Sequence, residues 1–248
     1  MAQIIKDLIK KCIPRPIIDH FIYLFYYRLF RRGYFAQSQL DKKLKKYINY
    51  EKGFFVELGA NDGFTASNTL YFEMRKNWRG ILIEPSPNLF LSCCFYRNKP
   101  GNKIFCNACV PFGFTEKYVD IDYAYLMSVS TNLKNDLDDI QSFLNDAKSN
   151  LKTHDKNLKF GSIARTLSSI LDESDSPKII DLLSLDVEGA ELEVLKGLNF
   201  SVYKFKYMLI ESRDFISLSS FLSNYSYSFV EKLSHHDYLF RCDSLSSQ

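Results

Sequence analysis

From residue 53 onward, short apolar runs alternate with stretches whose apolar residues recur at helical spacing. That alternation predicts strands interleaved with helices, an α/β fold built on a mostly parallel sheet. Phe54 to Leu58 is the first run, closed by Gly59-Ala60-Asn61-Asp62-Gly63, and a helix is expected from about Ser67 to Lys76. Ile81 to Glu84 makes the second strand, after which Pro85-Ser86-Pro87 suits a turn and a helix start near residue 88. Lys103 to Val110 reads as a third, buried strand. Cys106 and Cys109 fit there as small apolar fillers, because a tetrahedral zinc site would use their spacing twice and no second copy exists.

Residues 120–160 are rich in Asp, Asn, Lys and Ser and lack an apolar period, which marks an insertion. Regularity resumes over Ile163 to Leu171. Ile179 to Asp186 is then a nearly continuous apolar strand of the kind buried on both sheet faces, and Glu188 to Gly197 is the helix after it. Tyr207 to Glu211 forms a further strand and Phe215 to Leu222 a short helix. Tyr227 to Lys232 and Asp237 to Arg241, joined through Ser234-His235-His236, predict a terminal β-hairpin, leaving 242–248 as a tail.

Charge divides the chain where the pattern begins. Residues 1–52 carry 12 Lys/Arg and 4 Asp/Glu, a net +8, whereas 53–248 carry 20 against 25, a net −5. The first segment reads as a basic, aromatic helical arm, with an apolar run from Ile17 to Phe30 interrupted by Asp19, His20 and Arg28. A bilayer span needs roughly 20 apolar residues, so this run is too short and too polar to cross one. It suits packing against the main domain, or peripheral contact with an anionic membrane surface or a protein through residues 1–35. The remainder is an ordinary globular composition, 46% apolar and 25% charged. A cytoplasmic location with free thiols is expected, with the inner face of a membrane as a peripheral site. Nucleic acid is disfavoured by the −5 of the main domain and by the lack of an Asn/Asp-Pro-Pro-aromatic motif.

The chemistry gathers at strand ends. Glu84, Asp186 and Glu211 close predicted strands and Glu57 lies one residue short of such an end. In an open parallel sheet that edge is where ligands bind, so acids collected there can meet one ligand. Glu84 follows the glycine turn by about the interval at which an acidic residue accepts hydrogen bonds from ribose hydroxyls. Nicotinamide enzymes and S-adenosylmethionine enzymes share this spacing. The turn, however, carries Asn61 and Asp62 and lacks a G-x-G-x-x-G, which suits the positive charges of S-adenosylmethionine better than a pyrophosphate.

Val56 to Gly63, Ile83-Glu84-Pro85-Ser86-Pro87 and Leu185-Asp186-Val187-Glu188-Gly189-Ala190-Glu191, with Ser67 to Glu73, together resemble the FkbM-type methyltransferases, a branch of the class I S-adenosylmethionine-dependent fold. The resemblance spans about 53–241 and implies a Rossmann-like seven-stranded sheet with helices on both faces and an antiparallel hairpin at its end. It also implies a cofactor pocket in which Glu57, Gly59 and Gly63 shape the methionine end, Ala60, Asn61 and Asp62 line it, Asn68 and Pro85 border it, and Glu84 holds the ribose. Adenine is expected near Asn107 to Val110.

Asp186, Glu188 and Glu211 are the catalytic candidates. Asp186 is the first choice of base for an acceptor hydroxyl, with Glu188, His235 and His236 behind it. Mg²⁺ on Asp186 and Glu211 is an optional addition, and Arg213 a candidate for an anionic group on the acceptor. The expected activity is O-methylation of a hydroxyl, a sugar in a glycan, glycolipid or secondary metabolite, with 120–160 as the acceptor-side lid. The alternative is a non-catalytic adaptor that keeps the fold and is recruited through the N-terminal arm.

Overall fold

The computed structural model describes residues 33–137, 139–149 and 158–245. The chain divides after Tyr34, and the second unit begins at Phe35, ahead of the boundary expected at residue 53. The apolar run of the predicted arm lies outside the described residues. Residues 35–52 belong to the second unit. Within it, Leu40 and Leu44 of helix α1 (Leu40–Leu44) and the following Ile48 are buried, and the Trp78 indole donates to the Tyr50 carbonyl at 2.9 Å.

The main sheet has seven strands: β1 (Phe54–Leu58), β2 (Arg79–Ile83), β3 (Lys103–Phe105), β8 (Ile179–Leu185), β9 (Lys204–Glu211), β10 (Tyr227–Lys232) and β11 (Asp237–Cys242). Their spatial order is β10-β11-β9-β8-β1-β2-β3, with parallel pairing from β3 through to β9. β11 alone runs against its neighbours, so the expected terminal hairpin is present. The central strands are apolar on both faces because crossovers cover both, and Val56, Ile81, Leu183 and Met208 are fully buried. Each such side chain contributes about 1.5–3 kcal/mol of burial. The chain winds outward from β1 to β3 and then crosses to β8, so strand order reverses between β1 and β8. That reversal opens a crevice at the carboxyl ends of the two strands.

Helices α2 (Leu70–Lys76) and α3 (Pro87–Tyr96) follow β1 and β2. Proline at the first position of α3 fits a helix start, since its missing N–H would be unpaired there anyway. Four further strands belong to a second, smaller sheet in the order β4-β7-β5-β6: β4 (Ala108–Cys109), β5 (Tyr118–Tyr123), β6 (Val129–Ser130) and β7 (Leu158–Arg165). The single strand expected over 103–110 is therefore two, and the break at Cys106-Asn107 hands the chain from one sheet to the other. The predicted insertion is also not irregular. Its alternating polar and apolar positions form the two-sided strand β5, paired with β7, and helix α4 (Ile140–Ser149) follows β6. Helices α5 (Leu167–Glu173), α6 (Glu191–Leu195) and α7 (Phe215–Ser223) complete the described α-helices. No described helix is long and apolar enough to cross a membrane.

Candidate active site

Gly59 makes the crevice possible. It has φ +73°, and a Cβ there would lie 1.8 Å from the Asp186 carbonyl oxygen, so only glycine lets the ends of β1 and β8 approach this closely. The amides of Gly59 and Ala60 both donate to the Ile83 carbonyl, which draws the end of β2 to the same point. A single cavity results, walled by Gly59, Ala60, Asn61, Asn68, Glu84 and Pro85 on one side and by Asp186, Val187 and Glu188 on another. Asn107 to Cys109 also line it, where adenine was expected.

The acids have distinct tasks. Glu84 is 5% exposed, and its carboxylate accepts hydrogen bonds from the amides of Asn61 and Ser86 at 2.9 Å each. Burial pushes its pKa up to about 7, partly offset by those hydrogen bonds. Glu57 faces the cavity but is already saturated: Ser67 Oγ donates to both of its oxygens at 3.0 Å, Asn68 N donates at 2.9 Å, and Thr69 and Arg97 donate as well. It shapes the turn rather than gripping a ligand. Asp62 and Gly63 do not reach the cavity. Asp62 caps its own turn through the amides of Phe64 and Thr65, and Gly63 leaves room for Arg97 and Cys93.

Arg97, absent from the sequence-level expectations, organises this half of the site. Fully buried at the end of α3, it pairs with Glu73 at 2.8 Å and Glu57 at 3.3 Å and donates to the Gly63 carbonyl and the Thr69 hydroxyl. Its only sequence signal is that Glu57 and Glu73 need a cation if both are buried.

Asp186, Glu188 and Glu211 come together, each offering a carboxylate oxygen within 4.8 Å of the others. Burial and the neighbouring Glu211 charge hold the Asp186 carboxyl well above the usual carboxylate range. Burial raises Glu188 to about 7, with Glu211 adding and Arg213 opposing. Arg213 lies 3.3 Å from Glu188, 3.7 Å from Glu211 and 4.0 Å from Asp136, so it compensates the cluster, while its Nη1 has no hydrogen-bond partner. His235 and His236 bond each other at the hairpin tip and do not line the cavity.

Two further acids, neither among the expected site residues, hold the loops that carry the trio. Buried Glu191 accepts from the amides of Val187 and Gly189 and so shapes the turn that presents Glu188. Asp136, between β6 and α4, accepts from Ser212 Oγ and from the amides of Arg213 and Asp214, while its own amide donates to the Gly189 carbonyl. It fastens the polar segment to both acid-bearing loops.

The model of the methyltransferase FkbM domain matches residues 57–241, three quarters of the chain and all of the walls just described. The chain belongs to the FkbM methyltransferase family. Among solved structures, a crystal structure of a SAM dependent methyltransferase from Aquifex aeolicus is similar at 13% identity and a TM-score of 0.35, over 81% of this chain and 86% of that one. No individually curated protein matches.

An FkbM methyltransferase draws its methyl group from S-adenosylmethionine, and the cavity suits that molecule. Both side-chain amide atoms of Asn61 are buried without a partner, Glu84 retains lone pairs for hydroxyl donors, and Gly59 leaves the backbone bare. At the acid cluster where Mg²⁺ was expected, Arg213 already supplies a cation, 3.3 Å from Glu188 and 3.7 Å from Glu211.

Proposed function

We propose that this FkbM methyltransferase acts on a hydroxyl group, that of a sugar in a glycan, glycolipid or secondary metabolite. The observation that carries the reading is the carboxyl trio, two members of which, Asp186 and Glu188, line the cavity. A hydroxyl is a weak nucleophile until its proton is taken, so its methylation calls for a base beside the reacting oxygen. S-adenosylmethionine, when bound, supplies an electrophilic methyl group. Asp186, which lines the cavity and has a carboxylate oxygen within 4.8 Å of Glu188 and of Glu211, accepts the acceptor proton in its ionised form. Glu188, balanced by Arg213, orients the acceptor.

A sugar is supported by the opposite wall, which residues 118–133 supply. Leu126 and Leu133 offer an apolar face, and Ser130 Oγ is buried without a partner, free to pair with a hydroxyl. Rings with polar edges and apolar faces match such a wall. The test is transfer of a labelled methyl group from S-adenosylmethionine to a panel of methyl glycosides, with the product linkage read by NMR. Asp186→Asn should lower turnover roughly 100-fold or more while leaving S-adenosylhomocysteine affinity within a few fold. Methylation confined to amines, or binding of NAD in place of S-adenosylhomocysteine, would overturn the reading. Cofactor binding without any transfer would favour the adaptor.

A further inference from the structure

The segment before the family match also reaches the cavity. Gln37 stands on its wall beside Thr65 and Ala66, although the expected catalytic domain began at residue 53. Its position is built, not incidental. Ala36 pairs with Ala66 in a parallel bridge, the Phe35 and Phe64 rings meet at 5.8 Å, and the buried Asp41 carboxylate accepts from the amides of Phe35 at 2.6 Å and Ala36 at 3.3 Å. Ser38 and Gln39 follow in left-handed conformations, φ +51° and +56°, a costly pair for non-glycine residues and one that persists only where surroundings impose it.

The chemistry of the wall says what Gln37 can hold. Among the described residues no Lys, Arg or His lines the cavity, so a carboxylate inside it can be met only by neutral donors. Four side-chain amides lie on the wall. Asn68 donates to Ser184 and Asn107 to the Ile163 carbonyl, whereas the Asn61 amide is buried without a partner and the Gln37 side chain is exposed where it lines the cavity. We propose that Gln37 is a cofactor-binding residue whose side-chain amide, with that of Asn61, holds the α-carboxylate at the amino-acid end of the cofactor. The proposal rests on the S-adenosylmethionine reading above, and it gives residues 35–41 a place in the site that the family match does not cover.

Calorimetry with two probes tests it: S-adenosylhomocysteine, which carries the carboxylate, and 5′-methylthioadenosine, which lacks the amino-acid end. Gln37→Ala should weaken S-adenosylhomocysteine roughly 10- to 100-fold, the value of a hydrogen bond to a charged group, and leave methylthioadenosine unchanged. Gln37→Glu should weaken the first probe further, and Gln37→Lys should recover it. Unchanged binding of both probes, or an equal loss for both, would overturn the proposal. Failure of the unaltered protein to bind either probe would instead overturn the cofactor reading itself.

Discussion

Glu191→Gln separates the charge of a buried acid from its shape. Glu191 is 1% exposed, one carboxyl oxygen accepts from Val187 and Gly189, and the other has no partner. Burial raises its pKa from 4.5 to about 8, against the pull of those backbone hydrogen bonds. Because the folded pKa lies above the unfolded one, the residue's contribution is fully present below about pH 4.5 and is lost as the pH climbs through 8. At about 1.4 kcal/mol per pKa unit, the loss between pH 5 and pH 8 is roughly 3–4 kcal/mol. For a domain of this size that corresponds to a fall in Tm on the order of 10 °C. The glutamine keeps the accepting oxygen and cannot ionise. Glu191→Gln should therefore match the wild type within about 2 kcal/mol at pH 5, where both side chains are neutral, and exceed it at pH 8. Thermal melts of both proteins from pH 5 to 8.5, compared as a difference so that Glu84 and Asp186 cancel, measure this. Parallel curves would refute the assignment of a neutral, buried Glu191.

Three other perturbations address the cofactor half. Gly59→Ala combines a left-handed φ with a Cβ 1.8 Å from the Asp186 carbonyl; it should cost roughly 2–5 kcal/mol in urea denaturation and abolish S-adenosylhomocysteine binding, and an unaltered midpoint would contradict the close approach. Arg97→Met strands the Glu57 and Glu73 carboxylates and should cost about 3–5 kcal/mol by the same assay, with a loss under about 1 kcal/mol counting against the buried triad. Glu84 titrates near 7 in the free protein, and ribose hydroxyls donate only to its ionised form at full strength. Wild-type affinity for S-adenosylhomocysteine should thus rise from pH 6 to pH 8, while Glu84→Gln binds weakly and without that slope; a slope retained in the variant would assign it to another group.

The sheet could be read from the chain because its central strands are apolar on both faces and end in acids, so period and punctuation coincide at Leu58, Ile83 and Leu185. Glu84, Asp186 and Glu188 were legible for the same reason: the edge of a parallel sheet is the one place such residues converge. What stayed hidden depends on contacts that no local pattern encodes. Arg97 pairs with Glu57 across 40 positions, and Asp136 meets residues 212–214 from a stretch without apolar period. Glu57 and Asp62 carry the right chemistry for a ligand, but neighbouring donors claim them first, and that competition is settled only when Ser67, Thr69 and Arg97 are brought together. The division of 103–110 into two strands was equally invisible, since both halves are apolar and only the sheet each joins distinguishes them.

Asp136 has a bearing on how this enzyme can be altered. Its carboxylate holds the loop after β9, and its amide holds the loop after β8. Gly189, at φ +101°, leaves room for residues 135–137 against that second loop. Under the acceptor role proposed for residues 118–133, transplanting residues 118–149 alone would therefore not carry a new acceptor preference. The graft would have to travel with compatible residues at 187–191 and 212–214, or the incoming wall would arrive without its anchor and leave Arg213 to repartition among the acids it now balances.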